Sequence, residues 1–138
     1  MSTKSIKQST ILPCSPDTAF RAWLDSRQHG LMTGGQPTDA TIDPKVGGKF
    51  NIWGAATGVT LEIDPTRRRI VQSWRYDYDD WPKDQPSQLR LEFRPYKGGQ
   101  CQLRFWQTGL PAKYAPGVAD GWQKYYWTPM KAYFKDVS

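Results

Sequence analysis

The segment Pro116 to Phe134, PGVADGWQKYYWTPMKAYF, constrains this chain more than any other. Projected at about 100° per residue, Ala132, Tyr125, Val118, Pro129, Trp122, Tyr133, Tyr126, Ala119, Met130, Phe134 and Trp127 run round one apolar arc broken only by Gln123. Asp120, Lys124, Thr128 and Lys131 are left for water. An ordinary surface helix needs an apolar stripe of about 100°, so one that is apolar over roughly two thirds of its circumference has to be wrapped by something concave. A curved sheet is the simplest wrapper. Pro129 interrupts the pattern, because it lacks an N–H and its ring clashes with the preceding turn, which frees the carbonyl of Tyr125 and kinks the axis. Either the helix stops at Thr128, or it continues, since Met130, Tyr133 and Phe134 keep the helical spacing.

The rest of the chain supplies such a sheet. Ser5 to Leu12 alternates weakly, with Ile6 and Leu12 on one parity, and reads as a first strand closed by Pro13. Ser15-Pro16-Asp17 is a helix start, with a hydroxyl N-cap, proline at the first helical position and an acid in the first turn. Phe20, Trp23 and Leu24 give that helix an inward face, and a second short helix ends near His29-Gly30. From Ala40 to Thr108 the period is two. The strands expected there are Ala40 to Ile42, Gly48 to Trp53, Val59 to Asp64, Ile70 to Tyr76, Leu89 to Arg94, and Leu103 to Trp106. Turn signals separate them at Gly54 to Gly58, Asp64-Pro65, Asp80 to Pro86 and Lys97-Gly98-Gly99. Short strands joined by tight turns are antiparallel neighbours with one face for the core. The predicted fold is α+β: a helix-grip arrangement of about six or seven antiparallel strands wrapped round a long C-terminal helix, with two short helices after the first strand.

At 138 residues the expectation is one domain spanning 1–138, large enough for a core without staples. Cys14 and Cys101 follow no metal-ligand spacing and are read as free buried thiols, which together with the lack of an apolar leader or a long apolar run suggests a cytoplasmic chain that spans no membrane. There are 19 basic and 13 acidic residues, a net charge of +6, but the positive groups are scattered and form no basic stripe interleaved with aromatics, so nucleic acid is not the expected partner. The dense run Arg67-Arg68-Arg69 reads as a solvated hairpin tip, or else as a contact for phosphate or an acidic partner. Seven Trp, seven Tyr and five Phe make the interior one of rings, which either fill space or line a flat-sided cavity.

Gly47-Gly48-Lys49-Phe50, Gly58, Ser73-Trp74, Thr108-Gly109, Gly121-Trp122, and the first-helix run Ser15 to Trp23 occur in an order and spacing that resembles the activator of heat-shock-protein-90 ATPase homologue family, within the START-like (SRPBCC, Bet v-like) superfamily. Ser15 stands where an apolar residue is common in that family. The resemblance covers nearly the whole chain. It implies a sheet gripping the C-terminal helix, a cavity between them that holds hydrophobic small molecules in many members, and, from the family name, a chaperone as protein partner. Bottom-up, Gly47 and Gly48 allow a bulge or bend at a strand entry, and Gly121 allows close approach of the sheet.

Few residues suggest catalysis. His29, the only histidine, has no cysteine or carboxylate at ligand spacing. Asp77, Asp79 and Asp80 suit a cation or an acid–base pair in principle, but alternating with tyrosines before Trp81-Pro82 they read as a solvated loop over a cavity mouth. No inward acid–base pair is found for a cyclase- or hydrolase-like enzyme, and no cofactor is expected. Gln72, in register with Ile70 and Trp74, and Gln107, in register with Leu103 and Phe105, point inward. As buried amides they need partners, which are each other, a water, a ligand, or a filled core near the sheet edge.

The reading with most support is a binding protein for a small hydrophobic or aromatic molecule, as a monomer or homodimer. Its cavity is expected to be lined by Phe50, Ile52, Leu61, Trp74, Tyr76, Leu91, Phe93, Leu103, Phe105, Trp122, Tyr126 and Met130, with Gln72 and Gln107 orienting the ligand. The alternative is a chaperone-associated interaction module that presents exposed groups such as Arg67, Arg68, Trp81 or Trp106.

Overall fold

The computed structural model describes residues 2–137. Strand β1 (Thr3–Leu12) is followed by helices α1 (Pro16–Leu24) and α2 (Ser26–Met32). Six strands then run in succession: β2 (Ala40–Ile42), β3 (Lys49–Ile52), β4 (Ala56–Asp64), β5 (Arg69–Tyr76), β6 (Ser87–Tyr96) and β7 (Gln100–Pro111). The chain ends in α3 (Ala115–Gly121), a π-helical stretch over Trp122–Trp127, and α4 (Thr128–Val137). The strands form one seven-stranded sheet in the order β1-β7-β6-β5-β4-β3-β2, every neighbouring pair antiparallel. The meander from β2 to β7 keeps sequence neighbours adjacent, and β1 closes the far edge against β7. The expected α+β helix-grip fold is therefore present, with seven strands.

Local chemistry accounts for the helix starts. The Ser15 hydroxyl accepts from the Thr18 backbone N–H at 3.1 Å, and Pro16 opens α1. Asp25 does the same for α2, its carboxylate accepting from Gln28 N–H at 2.9 Å. Phe20, Ala22 and Trp23 are buried on the inner face of the sheet, where Phe20 packs edge-on against Phe93 at 6.0 Å.

Register shifts interrupt two strands, β1 between Lys4 and Ile6 and β4 after Thr60, and the second bears on the site. Between Thr60 and Glu62 the β4–β5 register shifts: Thr60 faces Gln72, but Glu62 faces Val71. Ala56 and Thr60 face inward on one parity, so Leu61 faces outward and is about half exposed (47%), and the bulge that follows brings Ile63 back towards the core; the inward placement expected for Leu61 is corrected. On the outer face Glu92 is buried beneath Arg69 (3.0 Å), Arg94 (2.5 Å) and Arg90 (3.7 Å). Burial alone would raise its carboxyl, but the guanidiniums of Arg94 and Arg69 outweigh that and hold it below the usual range.

The C-terminal helix does not stop at Thr128. Gly121, Trp122 and Thr128 all keep right-handed helical angles, and α4 runs on through Pro129. The π-helical stretch explains how. The Thr128 N–H bonds to the Gln123 carbonyl, five residues back, so the ladder has already loosened before the residue that cannot donate. The stretch also corrects the width of the apolar arc. Buried positions recur every fourth residue, at Val118, Trp122, Tyr126, Met130 and Phe134. In a 3.6-residue helix that spacing drifts by about 40° at each step, and the wider turn absorbs part of the drift. Trp127 joins the same face, stacked on Trp122 at 5.6 Å and 19°, while Tyr125 is turned out with 60% exposure.

Gly58 is the tightest point between β4 and its neighbours. A Cβ there would lie 2.0 Å from the Ser73 carbonyl oxygen and 2.6 Å from the Phe50 ring. Gly58→Ala is therefore expected to destabilise the fold by roughly 2 kcal/mol, read from the midpoint of urea unfolding. An unchanged midpoint would show that β4 and β5 can separate at no cost.

Candidate functional site: an aromatic cavity beside the C-terminal helix

A cavity of about 670 Å³ opens between the β3–β4 hairpin, β5 and the C-terminal helix. The hairpin wall is Ile52, Trp53, Ala55 and Ala56, and the sheet contributes Trp74 and Tyr76. Tyr78, Lys113 and Tyr114 stand at one end, Thr33 at the other, and the helix side is Gly117, Val118, Gly121, Trp122, Tyr125 and Tyr126.

The hairpin is held open by its turn. The Ala55 N–H bonds back to the Ile52 carbonyl at 2.9 Å, with Trp53 (φ 58°) and Gly54 (φ 67°) both left-handed between them, which matches the right-handed twist of the flanking strands. Trp53 is thereby presented beside the cavity rather than in the core. Its indole N–H donates to the Thr33 hydroxyl at 3.0 Å, and that hydroxyl donates to the His29 carbonyl at 2.8 Å.

The floor is rigid. Trp122 contacts Trp74 at 5.3 Å and Tyr126 at 4.8 Å between ring centroids. The Trp122 N–H donates to the Gln107 amide oxygen at 2.9 Å; the Gln107 amide N–H donates to Ser87 at 2.9 Å; and the Ser87 hydroxyl donates to the Trp74 carbonyl at 2.6 Å. Gln72 likewise accepts from Trp23 N–H at 3.0 Å and donates to the Thr60 hydroxyl at 3.2 Å. Both amides are buried and neither lines the cavity. They clamp tryptophans and a serine or threonine to the sheet, which corrects the expectation that they orient a ligand.

His29 belongs to this supporting layer. It is buried, with Nδ1 2.7 Å from the Trp23 carbonyl and Nε2 2.8 Å from the Tyr126 hydroxyl. A carbonyl only accepts, so Nδ1 carries the proton and Nε2 accepts from Tyr126. Burial lowers the His29 pKa to about 4, against a smaller upward pull from the bond to Trp23. Burial raises the Tyr126 hydroxyl far above its ordinary value. It also raises Tyr76, and the neighbouring Trp74 N–H opposes that shift without reaching hydrogen-bond geometry.

The segment between β5 and β6 covers one end. Arg75 donates to the Trp81 carbonyl (Nε at 3.0 Å) and to the Tyr78 carbonyl at 3.1 Å. Trp81 is 1% exposed, its N–H donating to Gln85 O at 2.8 Å and its ring stacked at 19° on Tyr114, so its expected place on the surface is corrected. Asp80 bonds the Tyr114 hydroxyl through one oxygen and the Lys113 ammonium through the other, tying this segment to the start of α3.

Of the residues expected at the cavity, Ile52, Trp74, Tyr76, Trp122 and Tyr126 line it. Phe50 lies behind, its ring 5.3 Å from Trp74. Leu91, Phe93, Leu103, Phe105 and Met130 are fully buried in the core beyond the floor, and Leu61 is outside. Strand parity separates inside from outside but not cavity from core, which accounts for these misplacements. The residues overlooked sit at the mouth, among them Trp53, Tyr78, Lys113, Tyr114 and Tyr125. The signal that pointed to them was a pair of glycines one helical turn apart, Gly117 and Gly121. Gly121 does not make room for the sheet, since a Cβ there would meet only the Tyr125 ring at 3.6 Å, and at Gly117 it would meet nothing within 4 Å.

Among the described residues no group of three or more His, Cys, Asp and Glu side chains is placed to hold a metal, and no helix is long and apolar enough to cross a membrane. Cys14 and Cys101 are free and buried, their thiols pushed up by burial to about 11 and about 12.

Residues 13–135 match the family described as Activator of Hsp90 ATPase homolog 1-like protein. The chain belongs to that family. It is 28% identical over 123 residues to the activator of 90 kDa heat shock protein ATPase homolog of Dictyostelium discoideum, covering 88% of this chain and 30% of that protein. Against the human homolog 1 the identity is 28% over 121 residues, covering 87% and 34%. The chain thus spans about a third of the length of the curated relatives it matches. Among solved structures, an HSP90 activator from Plasmodium falciparum superposes with a TM-score of 0.80 at 25% identity, covering 93% of this chain and 94% of that one. Ara h 8.0201 shares the fold at 12% identity, with a TM-score of 0.72 and coverage of 98% and 99%.

The buried histidine makes stability depend on pH. In the unfolded chain His29 titrates near 6.5 and in the folded protein near 4, so stability is complete above pH 6.5 and falls as the pH drops towards 4. Roughly 2 kcal/mol should be lost between about pH 7 and pH 5 in urea titrations, and His29→Gln should flatten that step. A wild-type protein equally stable at both values would show that His29 is not held neutral by the fold.

Proposed function

We propose that the chain binds a small apolar, ring-containing molecule in the cavity between the β3–β4 hairpin and the C-terminal helix. The observation that carries this reading is the pair of helix glycines on its wall. Glycine within a helix costs up to about 1 kcal/mol relative to alanine, and neither Gly117 nor Gly121 is required by a close neighbour or a positive φ. What the two glycines do is keep space empty beside Trp53, Tyr76 and Trp122. Gly117 is exposed and Gly121 half-buried, so a methyl group at either would favour the helix without meeting the core. Binding would draw on burial of apolar area, at roughly 25 cal/mol per Å², against a floor that is already ordered. We infer the cytoplasm as the compartment, where the thiols of Cys14 and Cys101 stay reduced.

The test uses the neutral fluorescent probe N-phenyl-1-naphthylamine. Gly117→Ala and Gly121→Ala are expected to raise the melting temperature slightly, because alanine favours the helix. Gly117→Leu and Gly121→Leu are expected to lower probe affinity at least about tenfold without lowering the melting temperature. Wild-type-like binding by both leucine variants would overturn the reading.

A second reading, association with a chaperone of the Hsp90 class, is favoured by the Plasmodium falciparum HSP90 activator, which matches nearly end to end. The surface suited to it is the outer face of the sheet, where Arg90 lies 4.2 Å and Arg104 5.8 Å from the Trp106 ring. Added to a purified Hsp90, the chain would raise ATP turnover, with Arg90→Glu combined with Arg104→Glu removing most of the increase. Turnover unchanged at any ratio of the two proteins would dismiss this reading.

A further inference from the structure

Lys113 is the only charged side chain among the described residues that line the cavity. It stands at the mouth, its ammonium 5.1 Å from the Tyr114 ring centroid and paired with the Asp80 carboxylate. All other lining side chains are aromatic, aliphatic or hydroxyl-bearing. We propose, resting on the cavity reading above, that the ligand is amphipathic: a ring system in the cavity with a carboxylate at the mouth, where it replaces Asp80 as the partner of Lys113.

The exchange is chemically balanced. The Lys113 and Asp80 side chains are 60% and 48% exposed, and an ion pair at such exposure contributes little, so giving it up costs little. Asp80 is not stranded when it leaves Lys113, because its other oxygen still accepts from the Tyr114 hydroxyl. The segment between β5 and β6 therefore stays tied to the start of α3 through Tyr114 and the stacking of Trp81 on the same ring, and to β5 through the bonds from Arg75. Lys113 gains a carboxylate anchored by the buried part of its own molecule. That anchoring removes the side-chain entropy lost when two long exposed groups pair. The protein's net charge of +6 favours the approach of an anion in the same direction. A neutral ligand of the same shape would leave Lys113 on Asp80 and gain nothing at the mouth.

The experiment compares two isosteric pairs, 1-naphthaleneacetic acid with its primary amide and 4-biphenylacetic acid with its primary amide, by calorimetry at neutral pH. In wild type the acids are expected to bind about fivefold more tightly than the amides at low salt, a preference that shrinks as salt is raised. Lys113→Gln is expected to erase that preference. Asp80→Asn, which removes the competing carboxylate, is expected to tighten the acids about threefold and not the amides. Amides and acids bound equally in wild type, or a preference that survives in Lys113→Gln, would overturn the carboxylate inference and leave the cavity reading standing. Failure of all four compounds to bind would overturn the cavity reading and this inference with it. Lys113 and Asp80 are surface groups, and the wild-type comparison of acid with amide decides the matter even if a variant folds poorly.

Discussion

The missing N–H of Pro129 shapes the interior of this protein. A proline inside a helix leaves a carbonyl one turn earlier without its donor, and a helix that ignored the fact would kink or stop. Here the preceding turn widens instead, with Thr128 reaching back five residues to Gln123. The consequence is geometric. Residues five apart come to stack, as Trp122 and Trp127 do, and Tyr126 and Trp127 both face inward although they are consecutive. Tyr125 is rotated out to the rim of the cavity. One backbone defect thus sorts Trp122, Tyr125, Tyr126 and Trp127 into floor and mouth.

The floor and the mouth are held by different physics. Of the five buried tryptophans among the described residues, three spend the N–H on a glutamine side chain, Trp122 on Gln107, Trp23 on Gln72 and Trp127 on Gln8 at 2.6 Å, and Trp81 spends it on the Gln85 carbonyl. The Trp74 N–H is the exception, buried without a partner. A buried bond of this kind contributes about 1 kcal/mol when made, and leaving one partner unsatisfied costs about 1–3 kcal/mol. Exchange of partners within the floor is therefore strongly opposed. At the mouth, the tie between Asp80 and Lys113 lies in water and is weak. The structure separates a part that fixes shape from a part that can yield.

The sequence disclosed most of the fold and about a third of the cavity, and the division has a physical cause. Strand order was legible because side-chain alternation and turn residues are local signals, and the α1 start was legible because Ser15, Pro16 and Asp17 act within one turn. Leu61 was misread because it was placed on one parity with Ile63, and the bulge between Thr60 and Glu62 separates the two. The burial of Trp81 depends on Arg75 and on Tyr114, the latter more than thirty positions away. Gln72 and Gln107 were recognised as buried, but their donors, Trp23 and Trp122, lie 49 and 15 residues distant, and no local pattern identifies them. What the sequence did carry was Gly117, unread, and Gly121, read as a close approach of the sheet, in a helix otherwise crowded with rings.

The two faces of the sheet bear on how the two proposed roles, ligand binding and chaperone association, would share one chain. Phe105 and Gln107 of β7 point to the core, while Trp106 between them points outward beneath Arg90 and Arg104. The cavity floor and the outer basic face are thus neighbours along one strand. Yet Gln107 is pinned at both ends, by Trp122 and by Ser87, so occupancy of the cavity gives β7 no second arrangement to move into. A ligand shifts a conformational equilibrium only as far as its affinities for the two states differ. If the exchange proposed for Lys113 occurs, the element it frees is the segment between β5 and β6, through Asp80, and not the strand that joins the two faces. Any coupling between a bound molecule and a protein partner therefore has to run round the edge of the sheet through that segment, and a partner that touches only the outer face around Trp106 is expected to be indifferent to what the cavity holds.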